Sequence, residues 1–230
     1  MLADFAEASE NIVTNTTHQE PNSERTLVII KPDNWRCPSV KPGNIIDMLS
    51  RTGLRIVGCK IYQMSVAEAL EFYGPVQNAL RKKLAPVIGK KAYDKLSEEF
   101  GLKFHPASEQ MLTESIGRDY ADDQFNKFMS GRRPDECPTE ELNRPGKVKC
   151  MILIYEGPDA VRKIRDVLGP TDPTKAPGGT IRREFGHDVM VNTAHASDSK
   201  ESFERETKII KIQNNPMAAI IRAHLASMKQ

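Results

Sequence analysis

The sequence lacks most of the features that would place it quickly. Its 230 residues include four cysteines, at 37, 59, 137 and 150, with no C-x-x-C pair, which leaves reduced thiols in a cytoplasmic protein as the expectation. The apolar runs are only a few residues long, too short to span a bilayer, so no membrane partner is expected. The opening stretch carries Asp4, Glu7, Glu10, Glu20 and Glu24 in place of a basic start and an apolar segment, so a secretory leader is not expected either. Charge of one sign is also missing. Lys and Arg total 33 against 31 Asp and Glu, a net +2, so any anion-binding field must be local. There is no G-x-x-x-x-G-K-[ST], no G-x-G-x-x-G, no G-x-S-x-G and no H-E-x-x-H. Gly53 and Gly58 have P-loop spacing, but Cys59-Lys60-Ile61 follows them inside a strand-like run. Those absences exclude the familiar nucleotide-binding and nucleophile-elbow folds.

What is present is an ordinary globular composition, 28% charged and 39% apolar. Residues 1–23 are polar and acidic and read as a disordered or extended tail. Thr26–Ile30 is a short β-branched run ending at Lys31-Pro32-Asp33, the pattern of a buried strand. Pro42-Gly43-Asn44 opens a helix with Ile45, Ile46 and Leu49 at helical spacing and Gly53 as its stop, and Leu54–Gln63 reads as a second strand. From 65 to about 147 the texture changes to charged helical patches: Ala67–Tyr73, Val76–Leu84, Ala92–Phe100, Glu109–Ile116 and Asp122–Met129. Regular strand pattern returns at Val148–Ile154, and Pro158 is placed in the first turn of a helix that stops at Gly169. Gly169–Gly179 holds three prolines and three glycines, and is either an ordered functional loop or a disordered one. Asp188–Val191 is expected as a fourth strand, and Asp198 as the cap of a following helix with Glu201 three residues on. The order β-α-β, helical stretch, β-α-β predicts an α+β ferredoxin-like sandwich. In it, a four-stranded antiparallel sheet carries helices on one face and is extended by a helical insertion.

Chemistry-bearing residues gather near the C-terminal half. Arg165, Thr171, Thr180, Arg182 and Arg183 surround the Pro/Gly loop, and Asn192 to Ser199 follows, with His195 at its centre. Arginine clamps phosphate oxygens with two parallel hydrogen bonds and hydroxyls add directional ones. An imidazole with an ordinary pKa near roughly 6.5 is partly neutral, and so nucleophilic, at pH 7. The remaining histidines, 18, 105, 187 and 224, have no such company.

Four segments then share an order with one family. Asn192-Thr-Ala-His195-Ala-Ser197-Asp198 resembles the N-x-x-H-G-S-D signature of the nucleoside diphosphate kinases, and Glu24 to Asp33 resembles their opening strand and I-K-P-D/E motif. Leu168 to Pro173 is similar to L-G-x-T-N/D-P, and Pro177 to Arg182 to P-G-T-I-R with one extra residue. The resemblance implies the sandwich fold already expected, and ping-pong transfer of a γ-phosphoryl group from a nucleoside triphosphate such as ATP to a nucleoside diphosphate. It implies that His195 becomes phosphohistidine, oriented by Glu206 with help from Ser197. Lys31 and Tyr73 would meet the transferring phosphate, Arg165, Thr171 and Arg182 would hold the others, and Asn192 would bond the sugar. Tyr120 and Val189 would sandwich the base. Mg²⁺ is implied as the cofactor, carried on the nucleotide phosphates with no protein metal site, and assembly as a homo-oligomer (dimer, tetramer or hexamer) is implied as well.

Three departures accompany the match: Ala196 in place of glycine after the nucleophile, Pro170 beside Thr171, and a long insertion at about 74–147. The domain is expected over 24–209, with a C-terminal helical tail at 210–230. The alternative function is a catalytically idle module that binds nucleotide or docks a partner through the charged insertion. Survival of the whole set of chemically essential residue types favours the enzyme. Arg81-Lys82-Lys83 and Lys90-Lys91 have no interleaved aromatics, so nucleic acid is not expected as a partner.

Overall fold

The computed structural model describes residues 23–212, so the tails expected at 1–23 and 210–230 lie almost wholly outside the described residues. The described chain falls into two compact units, one from the N-terminal side to Tyr62 and again from Lys149, the other Gln63–Val148.

The first unit is built on a sheet of four strands: β1 (Ser23–Ile30), β2 (Arg55–Tyr62), β3 (Cys150–Pro158) and β4 (Ala194–Ala196). Their spatial order is β2-β3-β1-β4 and every neighbouring pair is antiparallel, the order that two interlocked β-α-β halves produce. β1 lies between β3 and β4, and Leu27 to Ile30 are fully buried, which is why that stretch is an unbroken apolar run instead of an alternating one. One face of the sheet, with Val28, Ile30, Leu153, Tyr155, Ala194 and Ala196, packs on α1 (Lys41–Ser50) through Ile45 and Leu49. The same face meets the helix Ala160–Leu168 through Ala160, Ile164 and Leu168. Residues Ile29 and His195 are register partners and point to the opposite face.

The second unit is helical. Its first helix, α2 (Val66–Phe100), starts at a capping box: Ser65 Oγ accepts from Glu68 N at 3.1 Å and Ser65 N donates to Glu68 Oε2 at 2.9 Å. The three expected patches over 67–100 form this single helix, which runs through Pro75 and Pro86. An internal proline costs about 3 kcal/mol by deleting a backbone hydrogen bond. Phe72, Tyr73, Leu84, Ala85 and Tyr93, all buried along α2, keep the helix continuous through both prolines. A short helix α3 (Pro106–Leu112) passes through a π-turn at Thr113–Gly117 into α4 (Arg118–Ser130). Gly117 sits directly against the Ala85 carbonyl and Gly89 against Thr113, contacts that a Cβ would prevent. Arg81, one of the exposed-looking cations of the sequence, pairs with both oxygens of Asp122 at 2.5 and 2.8 Å.

Three expectations near the C-terminus are corrected. Pro158 ends β3, paired with Ser23, and the next helix, α5 (Ala160–Leu168), begins after Asp159 in a left-handed conformation at φ 55°. Asp188–Val191 is a turn and not a strand, because Asp188 Oδ1 accepts from Met190 N at 2.8 Å and Val191 N at 2.9 Å. The fourth strand comes later, at β4. The last helix among the described residues, α7 (Lys200–Ile210), follows the five-residue α6 (Ile181–Phe185) in the chain. Ser199 caps α7 by accepting from Ser202 N at 3.1 Å, while Asp198 accepts from the Ser202 hydroxyl. The Gly169–Gly179 segment is an ordered loop with a 3₁₀ turn at Pro173–Lys175. Among the described residues, no helix is long and apolar enough to cross a membrane.

Candidate active site

β1 and β4 bring the two ends of the chemistry together. Ile30 pairs with Ala194, so Lys31, the next residue after β1, emerges beside the residues that lead into β4. Lys31 N donates to the Thr193 carbonyl at 2.9 Å, and Lys31 Nζ donates to Asn192 Oδ1 at 2.6 Å. Asn192, itself buried, donates from Nδ2 to the Thr171 carbonyl at 3.1 Å and the Val189 carbonyl at 2.8 Å. One amide thus ties Lys31 to the Pro/Gly loop and to the turn before β4. With both amide hydrogens used and one Oδ1 lone pair on Lys31, Asn192 keeps one acceptor position.

His195 leaves β4 on the face opposite the main core, where α7 carries Glu206 to it. Nε2 lies 3.0 Å from Glu206 Oε1, and Ser197 Oγ donates to Glu206 Oε2 at 2.7 Å. Ser197 is in turn held by the β1 backbone: Leu27 N donates to its hydroxyl at 3.4 Å, and Ser197 N donates to the Leu27 carbonyl at 3.0 Å. Glu206 is only 2% exposed, a position where a carboxylate is tolerated because both oxygens are hydrogen-bonded. Arg205 Nη2 reaches the same Oε1 at a longer 3.4 Å.

The cations converge. Arg182, on α6, donates from Nη1 to the Gly169 carbonyl at 2.8 Å and from Nη2 to the Ala194 carbonyl at 2.9 Å, which fixes its fork between loop and strand. Burial, and then the Arg182 charge, push the Lys31 ammonium down to about 8. Two positive groups held close in a partly desolvated place make a preorganised anion site. Asp33, two residues on, is raised chiefly by burial, with Lys31 opposing. Arg165 is exposed on α5. Its charge helps hold the Asp198 carboxyl below its ordinary range, after the larger hydrogen bond from Ser202 and against the opposing effect of burial. Thr171 is exposed in the loop, and Val189 is partly buried in the turn.

The other two expected site residues belong to the second unit. Tyr73 is buried there, its ring 5.1 Å from Phe72 and 5.7 Å from Phe125, while Tyr120 is 39% exposed on α4. The structure also adds residues that the motifs did not single out. Asn34 is 3% exposed and donates to the Thr193 carbonyl at 2.8 Å and the Lys31 carbonyl at 3.1 Å. Thr193 is a fully buried β-branched residue at φ 68°, a conformation that costs about 1–2 kcal/mol. No local sequence signal marks either one, since the strain appears only when β1 and β4 are paired. Ala196, by contrast, carries no strain: it lies in the extended backbone of β4 opposite Val28.

Comparisons with known proteins place the chain as a whole in one family. The nucleoside diphosphate kinase family model matches residues 24–84 and 113–214. A nucleoside diphosphate kinase of Hyperthermus butylicus is 32% identical over 81% of this chain and 90% of its own length. One from Hydrogenovibrio crunogenus is 27% identical over 80% of this chain and 89% of its own. In fold, the chain is similar to the crystal structure of the Aquifex aeolicus nucleoside diphosphate kinase, with a TM-score of 0.50 and 24% identity, covering 85% of this chain and 98% of that one. With the signature segments reaching one place in the fold, and with matches of this extent, the chain belongs to the nucleoside diphosphate kinase family.

Proposed function

We propose that the chain carries out the family reaction through His195, which accepts the γ-phosphoryl group of a nucleoside triphosphate such as ATP and passes it to a nucleoside diphosphate. The observation that carries this reading is the fixed orientation of the imidazole. The Glu206 carboxylate accepts the Nε2 proton at 3.0 Å, so the neutral ring has its lone pair on Nδ1. Nδ1 forms a bond to the γ-phosphorus while the bond to the bridging oxygen breaks, and the nucleoside diphosphate leaves with that electron pair. The ring then bears a positive charge, which the buried Glu206 carboxylate compensates without moving. A terminal oxygen of the second diphosphate attacks the same phosphorus, and the N–P electron pair returns to the ring. One site serves both halves because the covalent relay is on the protein.

Lys31 and Arg182 neutralise charge spreading over the transferring oxygens, with Arg165 and Thr171 on the outer phosphates. Asn192 accepts from a sugar hydroxyl through the remaining Oδ1 position. The sequence resemblance assigns Val189 and Tyr120 to the base and Tyr73 to the transferring phosphate. The donor set of ammonium, guanidinium, amide and hydroxyl groups suits phosphate oxygens, and among the described residues no cluster of three or more His, Cys, Asp or Glu could hold a metal. Mg²⁺ would be held by the nucleotide phosphates and would add Lewis-acid neutralisation of their oxygens.

The same reading includes homo-oligomeric assembly, a cytoplasmic location, and a single kinase domain over 24–209 with an insertion at about 74–147. The interruption of the family match between residues 84 and 113 supports placing added material in that stretch. The test is incubation with γ-labelled ATP and Mg²⁺, followed by unlabelled GDP. Acid-labile, alkali-stable label on the wild type, absent from His195→Ala and discharged into GTP, is the expected result. No label on a folded wild type would defeat the proposal.

A further inference from the structure

We infer that Asn34 is a positioning residue for the phosphoryl transfer, clamping the strained Thr193 turn so that Asn192 and His195 hold their places against Lys31. The inference rests on the reading of His195 as phosphoryl acceptor. Thr193 lies between Asn192 and Ala194, and its left-handed backbone at φ 68° is a conformation a β-branched residue rarely adopts. Its carbonyl accepts from Lys31 N at 2.9 Å and from Asn34 Nδ2 at 2.8 Å. The same Nδ2 also reaches the Lys31 carbonyl at 3.1 Å. Asn34 therefore ties the end of β1 to the turn entering β4 at a point flanked on both sides by site groups. Asn192, on one side, bonds Lys31 Nζ at 2.6 Å, and Ala194, on the other, bonds Arg182 at 2.9 Å.

The contacts of Nδ2 are to the carbonyl oxygens of Thr193 and Lys31 and, at 3.5 Å, to the Asp33 carboxylate, acceptors that only a donor satisfies, so the amide orientation is fixed by its surroundings. The side chain is buried and offers no path to substrate, which separates positioning from contact. Without the amide, one of the two donors holding the strained carbonyl is gone, and the turn relaxes toward ordinary backbone. A misplacement of about 1 Å at reacting groups costs on the order of 100-fold in rate.

The experiment compares wild type with Asn34→Ala, Asn34→Asp and the double variant Asn34→Ala/Thr193→Gly. It measures the single-turnover rate of His195 labelling per folded site, alongside nucleotide affinity and thermal melting. Expected are labelling rates about 10- to 100-fold slower in both single variants, with nucleotide affinity changed less than about threefold. Asn34→Asp keeps the volume and, as the carboxylate, cannot donate, so it removes the hydrogen bond without opening a cavity. Glycine accepts positive φ without strain, so the double variant should recover at least about tenfold of the lost rate. A purely structural role would lower the melting temperature and leave the per-site rate untouched. Single variants within twofold of wild type overturn the inference, as does a double variant no faster than Asn34→Ala. If neither single variant folds, the double variant decides: a near-wild-type rate supports the clamp and a slow one overturns it. A wild type that takes no label defeats the phosphohistidine reading itself, whereas a labelled wild type with equally fast variants defeats this inference alone.

Discussion

Two buried glutamates in the same sheet-centred unit meet very different company. Glu156 on β3 joins three strands, accepting from Arg25 of β1 at 2.6 Å and from Arg55 of β2 at 3.0 Å. Glu206 on α7 is held by the His195 ring at 3.0 Å and the Ser197 hydroxyl at 2.7 Å, with Arg205 only at 3.4 Å. The first carboxylate is matched by permanent cations, so its charge is settled in every state of the protein. The second is matched by a neutral hydroxyl, by a more distant arginine and, on the proposed mechanism, by a ring whose charge changes when phosphate arrives. Buried charge supports stability in the first case. In the second, on the proposed mechanism, it stands ready for a cation that forms only during the reaction.

The sharpest way to break the comparison is to neutralise each carboxylate. Glu206→Gln should slow His195 phosphorylation about 100-fold, in line with the loss of one preorganised electrostatic group, while moving the melting temperature little. Single-turnover labelling checks this, and a rate within threefold of wild type would dissolve the distinction. Because Gln can still accept from Nε2, the loss would report charge and not ring orientation.

Lys31 sharpens the comparison from the phosphate side. Burial first, then Arg182, lower its ammonium to about 8. The protonated form binds phosphate, so on this group's account kcat/KM should hold below pH 8 and fall, up to tenfold per unit, as pH rises beyond it. Bound nucleotide charge favours the ammonium, so the limb in kcat should lie at higher pH than the limb in kcat/KM. Lys31→Arg, which does not titrate in this range, should remove the limb at the expense of a lower plateau. Stability moves the opposite way. The unfolded chain keeps this proton up to about pH 10.4 while the folded chain releases it near 8, so the unfolded state binds more protons across that window and stability rises with pH there. A kcat/KM limb unchanged in Lys31→Arg would assign the titration elsewhere.

What the sequence made legible follows from how local each signal is. β1, α1, β2 and the Asn192–Asp198 segment announce themselves by periodicity or motif, and each of their backbones is set largely by neighbours in the chain. The Asp188–Val191 turn was misread because a β-branched run looks like a strand until Asp188 Oδ1 captures the amides of Met190 and Val191. The patches that read separately over 67–100 are one helix because the packing of α2 carries it through Pro75 and Pro86. Asn34 and Thr193 were invisible for a different reason. Their importance is a contact across 159 residues, and nothing near either residue marks it.

Glu156→Gln is the structural counterpart of the glutamine exchange at 206. Removing the charge takes away the carboxylate that Arg25 and Arg55 share beside a buried side chain, a destabilisation of about 1–3 kcal/mol given that both arginines reach solvent. Melting should fall by several degrees, and the labelling rate per folded site should stay within twofold. A matching loss of rate would mean that the two carboxylates are coupled through the sheet.

The smallest effect is expected at Ala196, one of the departures from the family signature. The signature has glycine after the nucleophile, and a Cβ there would be costly if the backbone required positive φ. In this chain the residue is extended, paired with Val28, and buried at 6% exposure among Val28, Ile30, Leu153 and Ala194. Its methyl group points to the core face, away from the His195 face. Ala196→Gly should therefore destabilise the unit by about 0.5–1 kcal/mol through backbone entropy and lost packing, with the labelling rate unchanged. A faster Ala196→Gly enzyme would show that the methyl restrains the nucleophile after all, and the separation of core face from reaction face would fail at its most closely spaced residues.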